Sequence, residues 1–301
     1  MTVVVWWTVG GIAIGVLAPP ILRALMRRGT DAAVLLVVWG VLVCLTLSAV
    51  ALPALAELLH RCWLALHAGA PGPLDTVAGA LSAVALIVAV IRGGWRVGRT
   101  SRHRRRLHDK HAELAWLLTG SGPRSGTVLW LPATEPLAYS LAGDPPLVVM
   151  STGLRQCLDG VSVNAVAAHE HAHVRRRHHL LITVAQAAAA GLGWLPLMRH
   201  SPSLVRTLVE LDADALAAHT HGHHGLRRAL QTLQTAPAPA AALGIVGDCT
   251  QLRLARLDGR SSSYSRRFSD STAGCGAALV LGMTMLLTFT ALIGLASCTG
   301  G

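Results

Sequence analysis

The chain has 301 residues, of which 52% are hydrophobic and only 14% charged, and its mean hydropathy is +0.50. This composition excludes an intrinsically disordered chain and is too apolar for an ordinary soluble domain, so it predicts a membrane protein. The net charge of +11 would suit a nucleic-acid partner, but so few charged residues argue against one, and six scattered cysteines without a C-x-x-C pair exclude a disulfide-stapled secreted domain.

Four apolar stretches are long enough, or nearly long enough, to cross a membrane as helices. A spanning helix needs about 20 apolar residues, because its backbone polar groups must all be satisfied within the helix. The predicted spans cover about residues 1–22, 32–56, 75–92 and 275–298. They divide the chain into an N-terminal membrane domain (1–99), a central domain (100–270) and a C-terminal transmembrane helix (271–301). The first stretch lacks the basic start of a signal peptide.

The basic residues predict the orientation, because short cytoplasmic loops carry an excess of Lys and Arg. The loop between the first two spans is basic, whereas the loop between the second and third spans is not. From Arg92 to Lys110 the chain carries eight basic residues and a single acidic one, Asp109. We therefore expect the central domain in the cytoplasm of a multi-pass cell-membrane protein, with both termini outside. The basic run is expected to contact anionic lipid rather than nucleic acid.

The central domain begins with strand-like sequence and continues as helix. Three short apolar runs, TVLWL, PLAYSL and PLVVMST, predict a small antiparallel sheet. The helical sequence that follows contains His169-Glu170-His171-Ala172-His173, a match to H-E-x-x-H. Because residues four apart share a helix face, His169 and His173 can bind one zinc ion while Glu170 acts as general base on a water molecule.

A catalytic zinc site needs a third protein ligand, and Glu210 is the best candidate. It lies in LVELDADALAAH, which predicts a helix from Ser203 to about His219. Asp214 shares its face one turn later and is expected to accept a hydrogen bond from a ligand histidine, whereas Asp212 is predicted to be solvated. H-E-x-x-H followed by E-x-x-x-D predicts one Zn²⁺ per chain.

The uncharged stretch of residues 180–198 lies between the two halves of this motif. A single crossing there would place the two halves on opposite sides of the membrane, so we predict a buried helix or a re-entrant hairpin. His178 and His179 are assigned to a basic turn, and the histidines of 219–224 to an exposed loop. Residues 225–270 show no recognisable chemistry and are predicted to be helix followed by a flexible link.

The order and spacing of these features resemble the BlaR/MecR-like membrane zinc peptidases, in a bare form without the penicillin-binding sensor domain. The motifs that carry the resemblance are AYSL…PPLVVMSTGL, AAHEHAHVRRRHHL and VELDADALA. It implies a mainly α membrane protein with about four transmembrane helices and an α+β gluzincin-like peptidase domain. It also implies zinc binding by His169, His173 and Glu210, with Glu170 as catalytic base and Asp214 orienting a ligand. By analogy, a strand near the motif pairs with the extended substrate, and the candidates are Leu147, Val148, Val149, Met150 and Ser151.

Three functions fit this sequence. The first is a membrane-embedded zinc endopeptidase that cleaves a cytoplasmic protein in a signalling pathway, with a transcriptional repressor as a candidate substrate. The second is a protease similar to HtpX-like and CAAX-processing enzymes, which would degrade or trim membrane proteins. The third is a catalytically silent membrane partner with a regulatory role. The expected partners are the lipid bilayer and a protein or peptide substrate, with no direct nucleic-acid binding.

Overall fold

A computed structural model describes residues 2–67, 73–119, 126, 128–235 and 249–260 of the chain. These ranges are mostly helical, with one small sheet. The helices are α1 (Thr2–Arg27), α2 (Ala32–His67), α3 (Pro73–Thr119), α4 (Thr152–Cys157), α5 (Gly160–Arg175), α6 (His178–Leu192), α7 (Pro196–His221), α8 (His223–Thr235) and α9 (Thr250–Ala255). A π-helical turn, Arg256–Arg260, follows α9, and the strands are β1 (Val128–Leu131), β2 (Ala138–Leu141) and β3 (Leu147–Ser151).

Helices α1, α2 and α3 are long and apolar enough to cross a membrane, which suggests a membrane-anchored protein. Their candidate spans are Trp6–Arg27, Ala32–His60 and Thr76–Leu117, whereas the predicted fourth span, 275–298, lies outside the described residues. Helix α3 does not end near residue 92 but continues through the basic run, which contains good helix formers and no proline. The domain boundary predicted at residue 99 therefore falls inside a continuous helix.

Small residues set the packing of α1 against α2. A Cβ on Gly11 would lie 2.1 Å from Cβ of Ala49, and one on Gly15 would lie 3.2 Å from Cγ2 of Thr46. Close backbone approach of this kind provides van der Waals contact between helices in lipid, where burial of apolar surface gives little driving force. A larger side chain at Gly11 would push the two helices apart.

Helices α6 and α7 pack side by side against the three long helices. In α6, a Cβ on Gly191 would lie 2.8 Å from the carbonyl oxygen of Ala89 in α3. In α7, Ser201 Oγ accepts a hydrogen bond of 2.8 Å from Nε1 of Trp39 in α2, and both side chains are buried. A hydrophobic core accordingly combines side chains of α1, α2, α6 and α7. The uncharged stretch thus packs against the long helices on one side, whereas Leu180, Val184 and Trp194 remain exposed.

The chain reverses direction between α6 and α7, so the stretch 180–198 is not a single crossing. Helix α7 begins at Pro196 rather than at the predicted Ser203, and a proline suits the first helical position because it has no N–H to satisfy there. Pro202 lies inside the helix, where it removes one backbone hydrogen bond. Because of this reversal, Glu210 in α7 lies at the same end of the α6–α7 hairpin as the start of α6.

The three strands form a mixed sheet in the order β1-β3-β2, not the antiparallel sheet that the sequence predicts. Strand β1 runs parallel to β3, and β2 runs antiparallel to it. The prediction that Leu147–Ser151 pairs with a substrate is wrong, because β3 is the central strand, is buried throughout, and uses both backbone edges within the sheet. Among the residues that the structure describes, strand β2 is at an edge of the sheet, and it contacts α5.

Candidate active site

Helix α5 carries the H-E-x-x-H motif and begins at a capped end. The side chain of Asp159 accepts a hydrogen bond of 2.8 Å from the backbone N–H of Ser162, which satisfies one of the free amides of the first turn. His169 and Glu170 are only 2% and 5% exposed. His173 lies one turn after His169, and the Nε2 atoms of the two imidazoles are 3.1 Å apart. The helix therefore presents two imidazole nitrogens to one point.

Helix α7 brings Glu210 to the same point. Its Oε2 lies 3.4 Å from His169 Nε2, and its Oε1 lies 3.5 Å from His173 Nε2. In a tetrahedral zinc site with bonds of about 2.0–2.1 Å, neighbouring ligand atoms are about 3.3 Å apart, so these separations fit three ligands on one zinc ion. Within the described part of the chain, no other His, Cys, Asp or Glu group offers three donor atoms so close together.

Asp214 holds the outer nitrogen of His169, as the sequence predicts. Its Oδ1 lies 2.9 Å from His169 Nδ1, and because an ionised carboxylate only accepts, Nδ1 is the donor and Nε2 faces Glu210. Burial raises the pKa of Asp214, but Arg253 and the hydrogen bond from His169 outweigh it, so the pKa is lowered overall. Burial likewise lowers the pKa of His169, whereas its contacts with Asp214 and Glu210 raise it to about 10. The carboxylates thus favour a positive charge at His169, as a bound metal ion would supply.

His173 is held by a second chain of contacts that the sequence analysis missed. His178 Nδ1 lies 2.9 Å from His173 Nδ1, and His178 Nε2 donates a hydrogen bond of 3.0 Å to Asp212 Oδ2. With Nε2 of His178 as donor, its Nδ1 accepts the proton of His173 Nδ1 in the neutral tautomers, which leaves the lone pair of His173 Nε2 facing Glu210. Arg176 Nε lies 3.7 Å from the same Asp212 oxygen.

Asp212 and His178 correct two predictions. Asp212 is buried rather than solvated, because α7 packs against α5 on one side and α6 on another. His178 is buried and is the first residue of α6 rather than part of a basic turn. Arg177 joins α5 to α6 with φ 50°, in the left-handed region, and this tight junction brings His178 under His173. In the sequence, the signal for the contact between His178 and His173 is a histidine five residues after the last residue of the H-E-x-x-H motif.

Arg253 of α9 is the other site residue that the sequence did not reveal. It is 1% exposed, and Nε and Nη2 donate hydrogen bonds of 2.7 Å to the two carboxylate oxygens of Asp214. Its Nη1 lies 3.0 Å from Glu210 Oε2. The segment 225–270 therefore does contribute to the site, and nothing in the pattern TQLRLARL separates this arginine from the others.

Glu170 is buried, and it interacts electrostatically with His169 and Glu210. Burial is the main cause that raises its pKa above the ordinary value, and the nearby Glu210 raises it further. His169 and the hydroxyl of Ser140 in β2 act in the opposite direction. A carboxylate with a raised pKa is a better proton acceptor at neutral pH than a solvated one.

The remaining histidines of the motif region lie outside the cluster. His171 Nδ1 donates a hydrogen bond of 2.7 Å to the carbonyl oxygen of Ala167 on its own helix, so its ring is turned away. The histidines of 219–224 are exposed at the junction of α7 and α8. None of them belongs to a three-donor group among the residues that the structure describes.

Comparison with known proteins adds one finding. A family model described as peptidase family M48 matches residues 101–261, which is more than half of the chain. The matched range contains the H-E-x-x-H motif, the E-x-x-x-D motif and Arg253. No curated protein and no solved structure matches the chain.

Proposed function

The chain belongs to peptidase family M48, a family of zinc-dependent metallopeptidases, and we propose that it is a zinc endopeptidase held at a membrane by its long apolar helices. The observation that carries this proposal is the convergence of three donor groups: His169 Nε2 and His173 Nε2 lie 3.1 Å apart, and the Glu210 carboxylate places Oε2 3.4 Å from the first and Oε1 3.5 Å from the second. Two histidines and one glutamate are a ligand set of catalytic zinc sites that keep a fourth position open.

Different residues of the chain have different roles in the proposed hydrolysis. A bound zinc ion would act as a Lewis acid that polarises the scissile carbonyl group and lowers the pKa of water. Glu170 accepts a proton from the attacking water and donates it to the leaving amine, so that one peptide bond and one water molecule become a carboxylate and an amine. Asp214 orients His169, and the Asp212 and His178 pair orients His173, so both ligand nitrogens are held ready for the ion.

Arg253 limits the negative charge of the site. Glu170 and Asp214 are buried and Glu210 is partly buried beside them, and mutual repulsion of three carboxylates would otherwise favour protonation of one of them. The guanidinium makes two hydrogen bonds to Asp214 and one close contact with Glu210. We infer that Arg253 positions Glu210 and keeps Asp214 ionised.

We propose β2 as the strand that pairs with the substrate. It is an edge strand of the sheet, it contacts α5, and its Ser140 influences the pKa of Glu170. An extended peptide added to that edge would form main-chain hydrogen bonds and run beside the helix that carries Glu170. This replaces β3, whose edges are both paired.

The scissile bond is proposed to lie outside the hydrocarbon layer. Arg104 of α3 donates a hydrogen bond of 2.9 Å to the carbonyl oxygen of His179, so the start of α6, near the candidate site, lies beside Arg104. Along α3, Arg104 comes more than three turns after Arg92, the first charge after the apolar part of the helix. At 1.5 Å per residue this separation is about 18 Å along α3. Such a distance favours a soluble or juxtamembrane segment over a bond within the bilayer. With the cytoplasmic orientation proposed from the basic run, and with the BlaR/MecR-like arrangement as guide, the substrate would be a cytoplasmic protein.

Metal analysis of the full chain purified in detergent tests the ligand assignment. We expect about one zinc ion per chain in the wild type and in Glu170→Gln, and loss of zinc in His169→Ala and Glu210→Ala. His171→Ala is the matched control, because it removes a histidine from the same motif whose ring is turned away. Retention of zinc in both ligand variants would refute the site.

Proteolysis of dye-labelled β-casein, an unfolded general substrate, tests the reaction. Cleavage should occur with the wild type and His171→Ala, disappear with Glu170→Gln, and stop with 1,10-phenanthroline until zinc is restored. A zinc-loaded protein that cleaves neither β-casein nor a co-reconstituted cytoplasmic protein would instead favour the catalytically silent partner.

A further inference from the structure

An open groove of about 630 Å³ lies where α3 meets the hairpin formed by α6 and α7. It is separate from the candidate zinc site. Its wall combines positive, aromatic and small side chains, and the residues that matter here are Arg92, Trp95, Arg96, Gln186, Ala190 and Arg206.

Three arginines of this groove carry charge that no other described residue neutralises. Arg92 and Arg96 lie one turn apart on α3, and Arg206 comes from α7. No ion pair or side-chain hydrogen bond joins any of the three to another residue within the described ranges, whereas Arg253 and Arg227 have carboxylate partners. Like charges gathered on one cavity raise the local potential and attract an anion. A phosphate group suits several guanidinium donors at once.

The groove lies at the depth where a lipid headgroup would be found. The apolar part of α3 ends at Ile91, and Arg92 is the first charge after it. Trp95 is 60% exposed, as is common for tryptophans at a membrane–water boundary. Ile91, Ala189 and Ala190 give the rest of the wall an apolar character suited to a glycerol backbone and the start of an acyl chain. Basic pockets between membrane helices on the cytoplasmic side are typical binding places for anionic lipids.

We propose that this groove binds one anionic phospholipid, with its phosphate between Arg92, Arg96 and Arg206 and its acyl chains along the apolar wall toward the bilayer. The bound lipid would join α3 to the α6–α7 hairpin. Arg206 lies one turn before Glu210 on α7, so the lipid would also brace the helix that supplies the third ligand of the candidate zinc site.

The position of Arg206 allows a defined lipid-binding site to be distinguished from general attraction of anionic lipid to a basic surface. Arg206 lies outside the basic run of 92–110 and reaches the groove from another helix. Diffuse attraction would weaken about equally on loss of any exposed arginine near the membrane. A defined site depends on Arg206 and tolerates the loss of Arg105, which is exposed on α3 but does not line the groove.

Native mass spectrometry of the full chain in detergent, titrated with phosphatidylglycerol or with neutral phosphatidylcholine, tests the proposal. We expect one phosphatidylglycerol per chain in the wild type and in Arg105→Gln. Binding should weaken roughly tenfold in Arg206→Gln, because one charge-assisted contact is lost, and Arg206→Lys should recover part of it. The thermal unfolding midpoint should rise with phosphatidylglycerol only in the proteins that bind it.

Several results would overturn the proposal. They are wild-type affinity in Arg206→Gln, an equal loss in Arg105→Gln, equal binding of phosphatidylcholine, or displacement of the lipid by an equal concentration of inorganic phosphate. Because the Arg206 side chain is exposed, its substitution is expected to leave the fold intact, and the unfolding midpoint without added lipid checks this. Neither readout uses zinc or proteolysis, so failure here is independent of the proposed enzymatic function.

Discussion

Nη1 of Arg253 lies 3.0 Å from Oε2 of Glu210, so a helix near the C-terminal end of the described residues contacts a proposed metal ligand. The same guanidinium forms a two-pronged pair with Asp214, which in turn holds His169. One buried cation thus connects the proposed metal ligands of α5 and α7. We therefore expect the stability and the metal affinity of the proposed site to depend on α9.

Replacing Arg253 with methionine is expected to lower the free energy of unfolding by about 3–5 kcal/mol, because the buried Asp214 and the partly buried Glu210 lose their counter-charge. Arg253→Lys should recover only part of this, since a lysine cannot form the two-pronged contact with Asp214. Chemical denaturation of the full chain in detergent measures both values. The control is Arg227→Ala, which removes the 2.8 Å pair of the partly exposed Arg227 with Asp258 and should cost less than about 1 kcal/mol. Equal effects of Arg253→Met and Arg227→Ala would contradict the proposed role.

The second prediction concerns the contacts behind His173. His178→Ala and Asp212→Asn should each weaken zinc affinity by roughly 10–100-fold, because the outer nitrogen of His173 loses the partner that fixes its tautomer. Competition with a zinc chelator gives the affinity. His179→Ala is the matched control, since it removes the neighbouring imidazole, which makes no hydrogen bond with a proposed ligand. If His179→Ala weakens zinc as much as His178→Ala does, the contact chain has no specific role.

The sequence identified the proposed metal-binding residues because their signal is local. On a helix, His169 and His173 share a face whatever surrounds them, and Glu210 and Asp214 are related by the same spacing. The structure brings these four residues together. The parallel pairing of β1 with β3 had no such local signal, because pairing order depends on contacts between distant segments.

The residues that sequence analysis missed depend on tertiary packing. Asp212 was assigned to solvent because it lies two residues from Glu210 on a helix with one presumed buried face, but α7 is covered on two sides. Arg253 belongs to a six-residue helix that is distant in sequence from the motif. No hydrophobic period or motif spacing in the sequence links this short helix to a site that it contacts only in the folded chain. Residues 225–270 therefore show no recognisable chemistry in the sequence.

A pH-dependent loss of stability is expected from His179. Burial is the main cause that lowers its pKa to about 4, and the charges of Arg104 and Arg177 act in the same direction. An unfolded histidine has a pKa of about 6.5, so between pH 6.5 and 4 the unfolded chain binds a proton that the folded chain does not. The His179 contribution is therefore complete above pH 6.5, falls as the pH drops toward 4, and changes no further below that.

Unfolding midpoints of the wild type and His179→Gln, compared from pH 7.5 to 4 in the presence of a chelator, measure this contribution. The chelator keeps metal release from adding its own pH dependence. The wild type should lose more stability than the variant between pH 6.5 and 4. Parallel pH profiles would mean that His179 titrates normally in the folded chain.

Packing of α6 on α3 gives the last prediction. Gly191→Leu should lower the free energy of unfolding by about 1–3 kcal/mol, because its Cβ would lie 2.8 Å from the carbonyl oxygen of Ala89, and a backbone atom cannot move aside as a side chain can. Gly94→Leu is the matched control on α3, where a Cβ meets nothing within 4 Å, and higher helix propensity should leave stability unchanged or raise it by up to about 1 kcal/mol. Denaturation of both variants in detergent tests whether α6 packs against α3 beside its apolar end. If Gly191→Leu is as stable as Gly94→Leu, the hairpin does not insert against α3, and the groove between α3, α6 and α7 loses one of its walls.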